Sequence, residues 1–447
     1  MFMNTNQLIS GFSKLSKEEK LKFVSSYFAD PDKAIGDMKS FWHRDNEAQK
    51  LLDEFSENTL SNYFFPFGVA PNFLINDKFY LVPMVIEESS VIAAASNAAK
   101  YWASRGGFTA EVISTVKVGQ VHFIWQGDKA KLYRHFDKIK DVLIESTAPI
   151  TANMKKRGGG ILSIELLDKT DIMDDYFQLF CRFETVDSMG ANFINSCLEE
   201  FASTLKNYIA KEDEFTTSEK DCKVIMSILS NYTPECLVRT YVDCPLSDLG
   251  MFDDGDTPES FSWKFEKAIN IARNDVYRAT THNKGVFNGI DAVVLATGND
   301  FRAIEAVGHV YAARDGQYRS LTHFSLENGR FHYELYLPMA LGTVGGLTSL
   351  HPMSKLSLEL LGNPSAKELM MIAATAGLAN NFGAVTTLVT KGIQRGHMKM
   401  HLLNILNHFN ASEDEKNKAI EYFKQHKVSY NSVRNLLENI RLQNLYE

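Results

Sequence analysis

The chain has few cysteines, and none forms a C-x-x-C pair: Cys181, Cys197, Cys222, Cys236 and Cys244 are scattered. No structural zinc site is therefore expected, and the thiols suit small core residues in a reducing cytoplasm. No run of about 18 uninterrupted apolar residues occurs, so no membrane span is expected. The start, Met1-Phe2-Met3-Asn4-Thr5-Asn6, has no basic region ahead of an apolar one, and no signal peptide is expected. Positive charge is not in excess. The net charge of −8 argues against a nucleic-acid partner, whose footprint should be basic. No internal repeat or low-complexity segment stands out.

What is present is ordinary for a globular protein: 45% apolar and 23% charged residues. A length of 447 residues allows two or three domains. Residues 1–56 read as helical, with Ser16 and Glu19 placed as a capping box. Two strand-like pieces follow, 73–75 and 79–85, around an Asn76-Asp77 turn. Residues 87–104 read as a helix rich in alanine and serine, which predicts a central, closely packed position. From about 108 to 228 the pattern is strand, helix, strand, strand, helix, strand. That order predicts an inserted ferredoxin-like unit. Helix 262–278, strands in 322–340, a flexible Gly342–Gly346 loop and a small-residue helix 366–382 come next. The tail, 393–447, is polar and helical.

The segment from Thr281 to Asp300 carries the strongest chemical signal. Lys284 and Asp300 stand on either side of the apolar run Ile290–Ala296. An ammonium and a carboxylate at the ends of a buried element suit an active site better than a surface. Lys284 reads as a loop residue among the donors Arg278, Thr281, His282, Asn283 and Asn288, a set able to clamp a carboxylate or steady an oxyanion. Asp300 also suits a helix N-cap. Glu87-Glu88 precede the small-residue helix, where carboxylates favour the helix dipole; the second use is as a proton donor. His397 and His401 have i, i+4 spacing, but Met398 breaks H-E-x-x-H and no metal is expected. His397 follows Gly396, which suits a histidine delivered on a hinge.

Two loops suit phosphate. Asp187-Ser188-Met189-Gly190-Ala191-Asn192 joins a strand to a helix, though it is not G-x-G-x-x-G. Arg157-Gly158-Gly159-Gly160, preceded by Lys155 and Lys156, is glycine-rich and basic.

The segments Val82–Ser96, Asp187–Asn192, Thr281–Gly285, Ala296–Asp300 and Arg395–Met398 together resemble hydroxymethylglutaryl-CoA reductase, in its soluble bacterial (class II) form. They occur in the family's order from about Glu57 to His401. The resemblance implies an α+β fold. It has a large substrate-binding domain around a central helix (1–113 and 223–391), an inserted ferredoxin-like cofactor domain (114–222) and a C-terminal helical flap (392–447). It implies two-step reduction of hydroxymethylglutaryl-CoA to mevalonate and CoA, or the reverse. It also implies a cytoplasmic homodimer, or a higher oligomer, with its active site at the subunit interface.

By motif, Glu88 matches the family's catalytic glutamate, since it stands five residues after Pro83. It would protonate the developing hydroxyl. Lys284 would stabilise the carbonyl oxygen, Asp300 would hold the lysine, and His397 would protonate the departing thiolate. Ser90, Arg278 and Asn288 match positions that hold the acyl group or organise the lysine. Asp187, Ser188, Met189, Gly190, Ala191, Asn192 and Arg157 would contact the cofactor, with serine at 188 where alanine is usual. Residues 151–157 offer three bases and no acid, which favours NADPH over NADH. The alternative is a non-catalytic CoA-binding or regulatory protein that kept the fold. The presence of all four catalytic matches argues against it.

Overall fold

The computed structural model describes residues 8–252, 255–390, 392, 402–423, 425–426 and 428–443. The chain divides at Pro66/Phe67 into two compact units, so the first part expected over 1–113 spans both. The first unit has three short helices, α1 (Lys17–Ser25), α2 (Pro31–Ser40) and α3 (Asn46–Asp53). Ser16 and Glu19 form the expected capping box on α1. Lys17 Nζ pairs with Asp53 Oδ1 at 2.7 Å and ties α1 to α3.

The second unit opens with a hairpin, β1 (Phe67–Ile75) and β2 (Lys78–Val85). Its turn residues Asn76 and Asp77 both have positive φ, 47° and 63°. That is the backbone a two-residue hairpin turn needs, and Asn and Asp tolerate it best. Helix α4 (Val91–Ala103) follows, then β3 (Thr109–Val112). The chain then leaves for a second sheet. It runs β4 (Lys117–Trp125), α5 (Lys129–Ser146), α6 (Ala148–Lys156), β5 (Gly160–Asp168), β6 (Tyr176–Glu184), α7 (Ala191–Lys211) and β7 (Cys222–Ser230). The antiparallel order β5-β6-β4-β7 is that of a ferredoxin-like sheet. Two details differ from the sequence reading. Residues 148–156 are a helix, and β7 carries this unit eight residues beyond the expected boundary at 222.

The chain returns in β8 (Leu237–Pro245), which pairs antiparallel with β3. The ferredoxin-like unit is therefore an insertion between neighbouring strands. Helices α8 (Pro258–Asn274), α9 (Val276–Ala296) and α10 (Phe301–Ala312) come next, then β9 (Thr322–Glu327) and β10 (Arg330–Pro338). They complete a sheet of order β3-β8-β10-β9. Helices α11 (Gly346–Leu350), α12 (Pro352–Leu360) and α13 (Ala366–Val389) follow. Residues 402–408 are helical, then α14 (Glu413–Phe423) and α15 (Tyr430–Gln443) close the chain around a small core of their own.

The central helix is α13, not α4. Residues Leu369–Phe382 of α13 are buried on nearly every face. It is long and apolar enough to cross a membrane, yet 78% of its most apolar window is buried inside the protein. It packs on α9 at almost backbone distance. A Cβ on Gly289 would lie 2.3 Å from the Ala376 carbonyl oxygen, and one on Gly377 would lie 2.6 Å from Ile290. Only glycine permits that approach. Helix α4 buries one face, Val91, Ala95, Ala98, Ala99 and Trp102, and leaves Ala93 exposed.

Candidate active site

Lys284 does not sit in a loop. It lies in the third turn of α9, a continuous 21-residue helix whose Asp275 cap accepts from the N–H groups of Tyr277 and Arg278. Two of the polar residues that suggested a loop, His282 and Asn283, are buried and bonded. Asn283 donates Nδ2 to the Arg319 carbonyl and accepts from Leu321 N–H, both at 2.9 Å. His282 places Nε2 at 2.7 Å from the Thr322 hydroxyl. Burial, with help from the Arg278 charge, pushes its pKa down to about 3, so the ring is neutral. The carbonyl of His282 also accepts Asn381 Nδ2 at 2.8 Å, and Tyr333 donates its hydroxyl to Asn381 Oδ1 at 2.5 Å. These bonds fix the turn of α9 from which Lys284 projects.

Glu88 meets that lysine. Its Oε2 accepts from Lys284 Nζ and from Asn288 Nδ2, the latter at 3.3 Å. Lys284 and Asn288 are four residues apart on one helix, so both face the same carboxylate. The glutamate is free for this because α4 begins later than expected. Its N-cap is Ser90, held at φ 76°, and neither Glu87 nor Glu88 lies inside the helix. The dipole-compensation reading of Glu88 therefore gives way to a cross-chain contact.

Glu88, Ser90, Arg278, Lys284 and Asn288 border one cavity of about 680 Å³. That volume is in the range of small-molecule sites. The Arg278 guanidinium is half-buried and makes no ion pair among the described residues. Burial lowers its pKa, but an arginine stays charged, so it presents an uncompensated cation to the cavity. Asn380 and Asn381 border the cavity from α13, and Asn380 Nδ2 donates to the Val91 carbonyl at 2.9 Å. Sequence reasoning missed this pair. Two adjacent asparagines inside an otherwise apolar helix were the available signal, since buried amides require partners.

Asp300 is elsewhere. It caps α10, with Oδ1 accepting from Arg302 and Ala303 N–H at 3.1 and 3.3 Å, and it pairs with Arg302 Nη2 at 3.1 Å. From Lys284 to Ala296 the helix rises roughly 18 Å at about 1.5 Å per residue. The expected Lys284–Asp300 pair is thus not made within one chain. His397 and His401 lie outside the described residues.

The two phosphate-friendly loops meet at one end of the ferredoxin-like sheet. Gly160, which ends the basic loop, is the register partner of Glu184, which ends β6 just before the 187–192 turn. Arg157 is exposed and reaches only the Asn153 carbonyl of its own helix, at 3.4 Å. In the other loop Gly190 has φ 92°, and a Cβ there would strike Thr185 at 2.4 Å. Asp187 Oδ1 accepts from Ala366 N–H at 2.8 Å, and its carbonyl accepts from Thr343 N–H at 2.9 Å. The Gly342–Gly346 segment, expected to be flexible, is therefore fastened to this turn. The turn leads into α7, whose first turn has no side-chain cap and no acidic residue. His135 in the same unit has Glu212 3.6 Å from Nδ1 and Glu214 3.2 Å from Nε2. One ring nitrogen and one oxygen from each carboxylate lie within 4.8 Å of one another, although the nearest carboxylate differs for the two nitrogens.

This geometry agrees with three comparisons. A family model described as hydroxymethylglutaryl-coenzyme A reductase matches residues 17–402. The chain is 35% identical to the 3-hydroxy-3-methylglutaryl-coenzyme A reductase of Archaeoglobus fulgidus, over 97% of this chain and 94% of that one. It is 31% identical to a probable reductase of the same name from Borreliella burgdorferi, over 99% of each. Among solved structures it is similar to the class II reductase of Streptococcus pneumoniae bound to NADPH in open conformations. The TM-score there is 0.68 at 35% identity, covering 85% of this chain and 99% of that one. A match over most of the chain, with its glutamate and lysine brought together across 196 residues of sequence, leads to one conclusion: the chain belongs to the hydroxymethylglutaryl-coenzyme A reductase family.

Proposed function

We propose that the 680 Å³ cavity holds the acyl group of the substrate, with Glu88, Lys284 and Asn288 at the reacting end and Arg278 as its anchor. The enzyme reduces 3-hydroxy-3-methylglutaryl-CoA to mevalonate and CoA. The observation that carries the site assignment is the convergence of Lys284 and Asn288 on the Glu88 carboxylate at the edge of that cavity. Lys284 would stabilise the oxygen on which negative charge builds during each reduction. Glu88 would supply the proton that turns this oxygen into a hydroxyl. The carboxylate left behind is steadied by the lysine and the asparagine that already face it. Arg278, half-buried and without an ion pair among the described residues, suits the terminal carboxylate of the acyl group, and Ser90 borders the same cavity. His397 keeps the role the resemblance implies, protonation of the departing CoA thiolate.

Asp300 is the remaining member. Its distance from Lys284 within one chain supports a site completed by Asp300 of a second copy, and therefore a homodimer with shared active sites. The ferredoxin-like unit is assigned to the cofactor, and the segment 392–447 to a flap over the site. NADPH is the cofactor, and it supplies the hydride in each reduction. The residues fit it: an uncapped helix start without acids at α7, and Lys155, Lys156 and Arg157 with no acid beside them for a 2′-phosphate. Among the described residues the one helix long and apolar enough to cross a membrane is buried in the core, and the cytoplasmic location is the one the resemblance implies.

The test is oxidation of NADPH on addition of hydroxymethylglutaryl-CoA, with Lys284→Ala as control. Loss of one oxyanion donor should lower kcat by about 10²–10³. Full activity in that variant would refute the role of Lys284. No turnover by the parent protein would favour the non-catalytic alternative.

A further inference from the structure

Three consecutive residues, Gly298, Asn299 and Asp300, join α9 to α10. Gly298, at φ 71°, ends α9: its N–H donates to the Leu295 carbonyl at 3.1 Å, and the Asn299 N–H donates to the Val294 carbonyl at 2.9 Å. That pair of bonds is a glycine stop, and it fixes the backbone of Asn299. Asp300 then caps α10. The Asn299 side chain does neither job and reaches across to another segment. Its Oδ1 accepts from Gly342 N–H at 2.8 Å, and its Nδ2 turns back to the Thr297 hydroxyl at 3.2 Å. The residue beside Asp300 therefore holds the segment that follows β10.

That segment lies against the 187–192 turn. A Cβ on Gly342 would be 2.5 Å from the Met189 backbone nitrogen, so only glycine permits the approach. Thr343 N–H donates to the Asp187 carbonyl at 2.9 Å, and Ser188 pairs with Val344 in a parallel bridge. The turn needs such support. It is entered through Val186, whose φ is 53°. A β-branched residue keeps that backbone only where its surroundings hold it there. Locally, Val186 N–H donates to Glu184 Oε1 at 2.8 Å, and Thr185 donates its hydroxyl to the Ser188 carbonyl at 2.6 Å. From the large domain the turn is held by the Gly342–Val344 segment and by the start of α13, where Ala366 N–H donates to Asp187 Oδ1 at 2.8 Å. The first of these holders is itself placed by Asn299.

We propose that Asn299 is a positioning residue for the reaction: through the Gly342–Val344 segment it sets the 187–192 turn of the inserted unit against the large domain. The role rests on the assignment of that turn to NADPH. Asn299 does not border the 680 Å³ cavity, so its loss should fall on the cofactor and not on the acyl group. The acceptor on Oδ1 is what matters, because the backbone N–H of Gly342 is the group it holds.

The test joins NADPH titration, followed by cofactor fluorescence, to hydrogen–deuterium exchange of the full chain. In the parent, NADPH should protect residues 187–192. Asn299→Ala should speed exchange over 342–344 and 187–192 in the absence of cofactor. Its Kd for NADPH should rise roughly tenfold, the worth of one backbone hydrogen bond, while KM for hydroxymethylglutaryl-CoA stays within about twofold. Asn299→Asp keeps the acceptor and should recover most of the NADPH affinity. Gly342→Ala, which presses on the turn from the other side, should reproduce the Asn299→Ala behaviour and serves if that variant does not fold. Protection of 187–192 in the parent, with NADPH affinity unchanged in Asn299→Ala, would overturn the proposal alone. So would the absence of recovery in Asn299→Asp, or a lower melting temperature with both constants moved alike, since either would leave Asn299 a residue of the fold only. No protection in the parent would overturn the cofactor assignment and the proposal together.

Discussion

Mixing two inactive variants, Lys284→Ala and Asp300→Ala, measures whether one site draws on two chains. Within a chain Lys284 is in the third turn of α9 and Asp300 lies beyond its end, with roughly 18 Å of helix between Lys284 and Ala296 at about 1.5 Å per residue. Asp300 is moreover occupied as the cap of α10. If the lysine of one subunit works with the aspartate of its partner, each homodimer of either variant has two dead sites. In a heterodimer one site collects both substitutions and the other collects neither. Random association gives about half heterodimers, each with one of two sites restored, so about one quarter of parent activity should return. The assay is co-expression or unfolding and refolding of a 1:1 mixture, followed by NADPH oxidation per active-site equivalent. A mixture no more active than the separate variants would refute the shared site. Asp300 would then act within its own chain after a large rearrangement, or not at all.

Three further outcomes follow from the same geometry. Asn381→Leu leaves the buried Tyr333 hydroxyl without its acceptor and frees the His282 carbonyl, which should cost about 1–3 kcal/mol in urea denaturation. Adding Tyr333→Phe should recover part of that loss, and a single variant as stable as the parent would remove the network's role. Arg157→Ala should raise KM for NADPH roughly tenfold and leave KM for NADH unchanged, because the charge-assisted bond is to the 2′-phosphate alone; equal changes with both cofactors would sink that assignment. Asp291 on α9 has its pKa raised to about 8 by burial and then by the Glu305 charge. A carboxyl whose folded pKa lies above its unfolded value of 3.8 stabilises fully below that value, and its contribution is lost as pH climbs towards 8. Asp291→Asn should therefore flatten the fall in melting temperature between mildly acidic and mildly alkaline buffer, and an unaltered slope would exclude Asp291 as its source.

Local chemistry was readable in the sequence, and contacts between distant segments were not. The Ser16–Glu19 capping box, the Asn76-Asp77 turn and, apart from the added helix 148–156, the succession of strands and helices in the inserted unit each depend on nearby residues, and each is found. The Thr281–Lys284 turn was misread because polar residues are counted as exposed. Here His282 and Asn283 are buried and bonded to Thr322, Arg319 and Leu321, so this polar stretch lies inside a helix. The pairing of Lys284 with Asp300 was inferred from closeness in sequence. A helix converts those residues into distance, and the lysine's true partner within the chain is Glu88. That contact spans 196 residues. It exists because β2 and α4 deliver the glutamate to one side of the core while Gly289 and Gly377 let α9 press against α13 on the other. No periodicity encodes such a meeting. It depends on which backbones can approach, and hence on glycines whose value appears only when the neighbouring helix is in place.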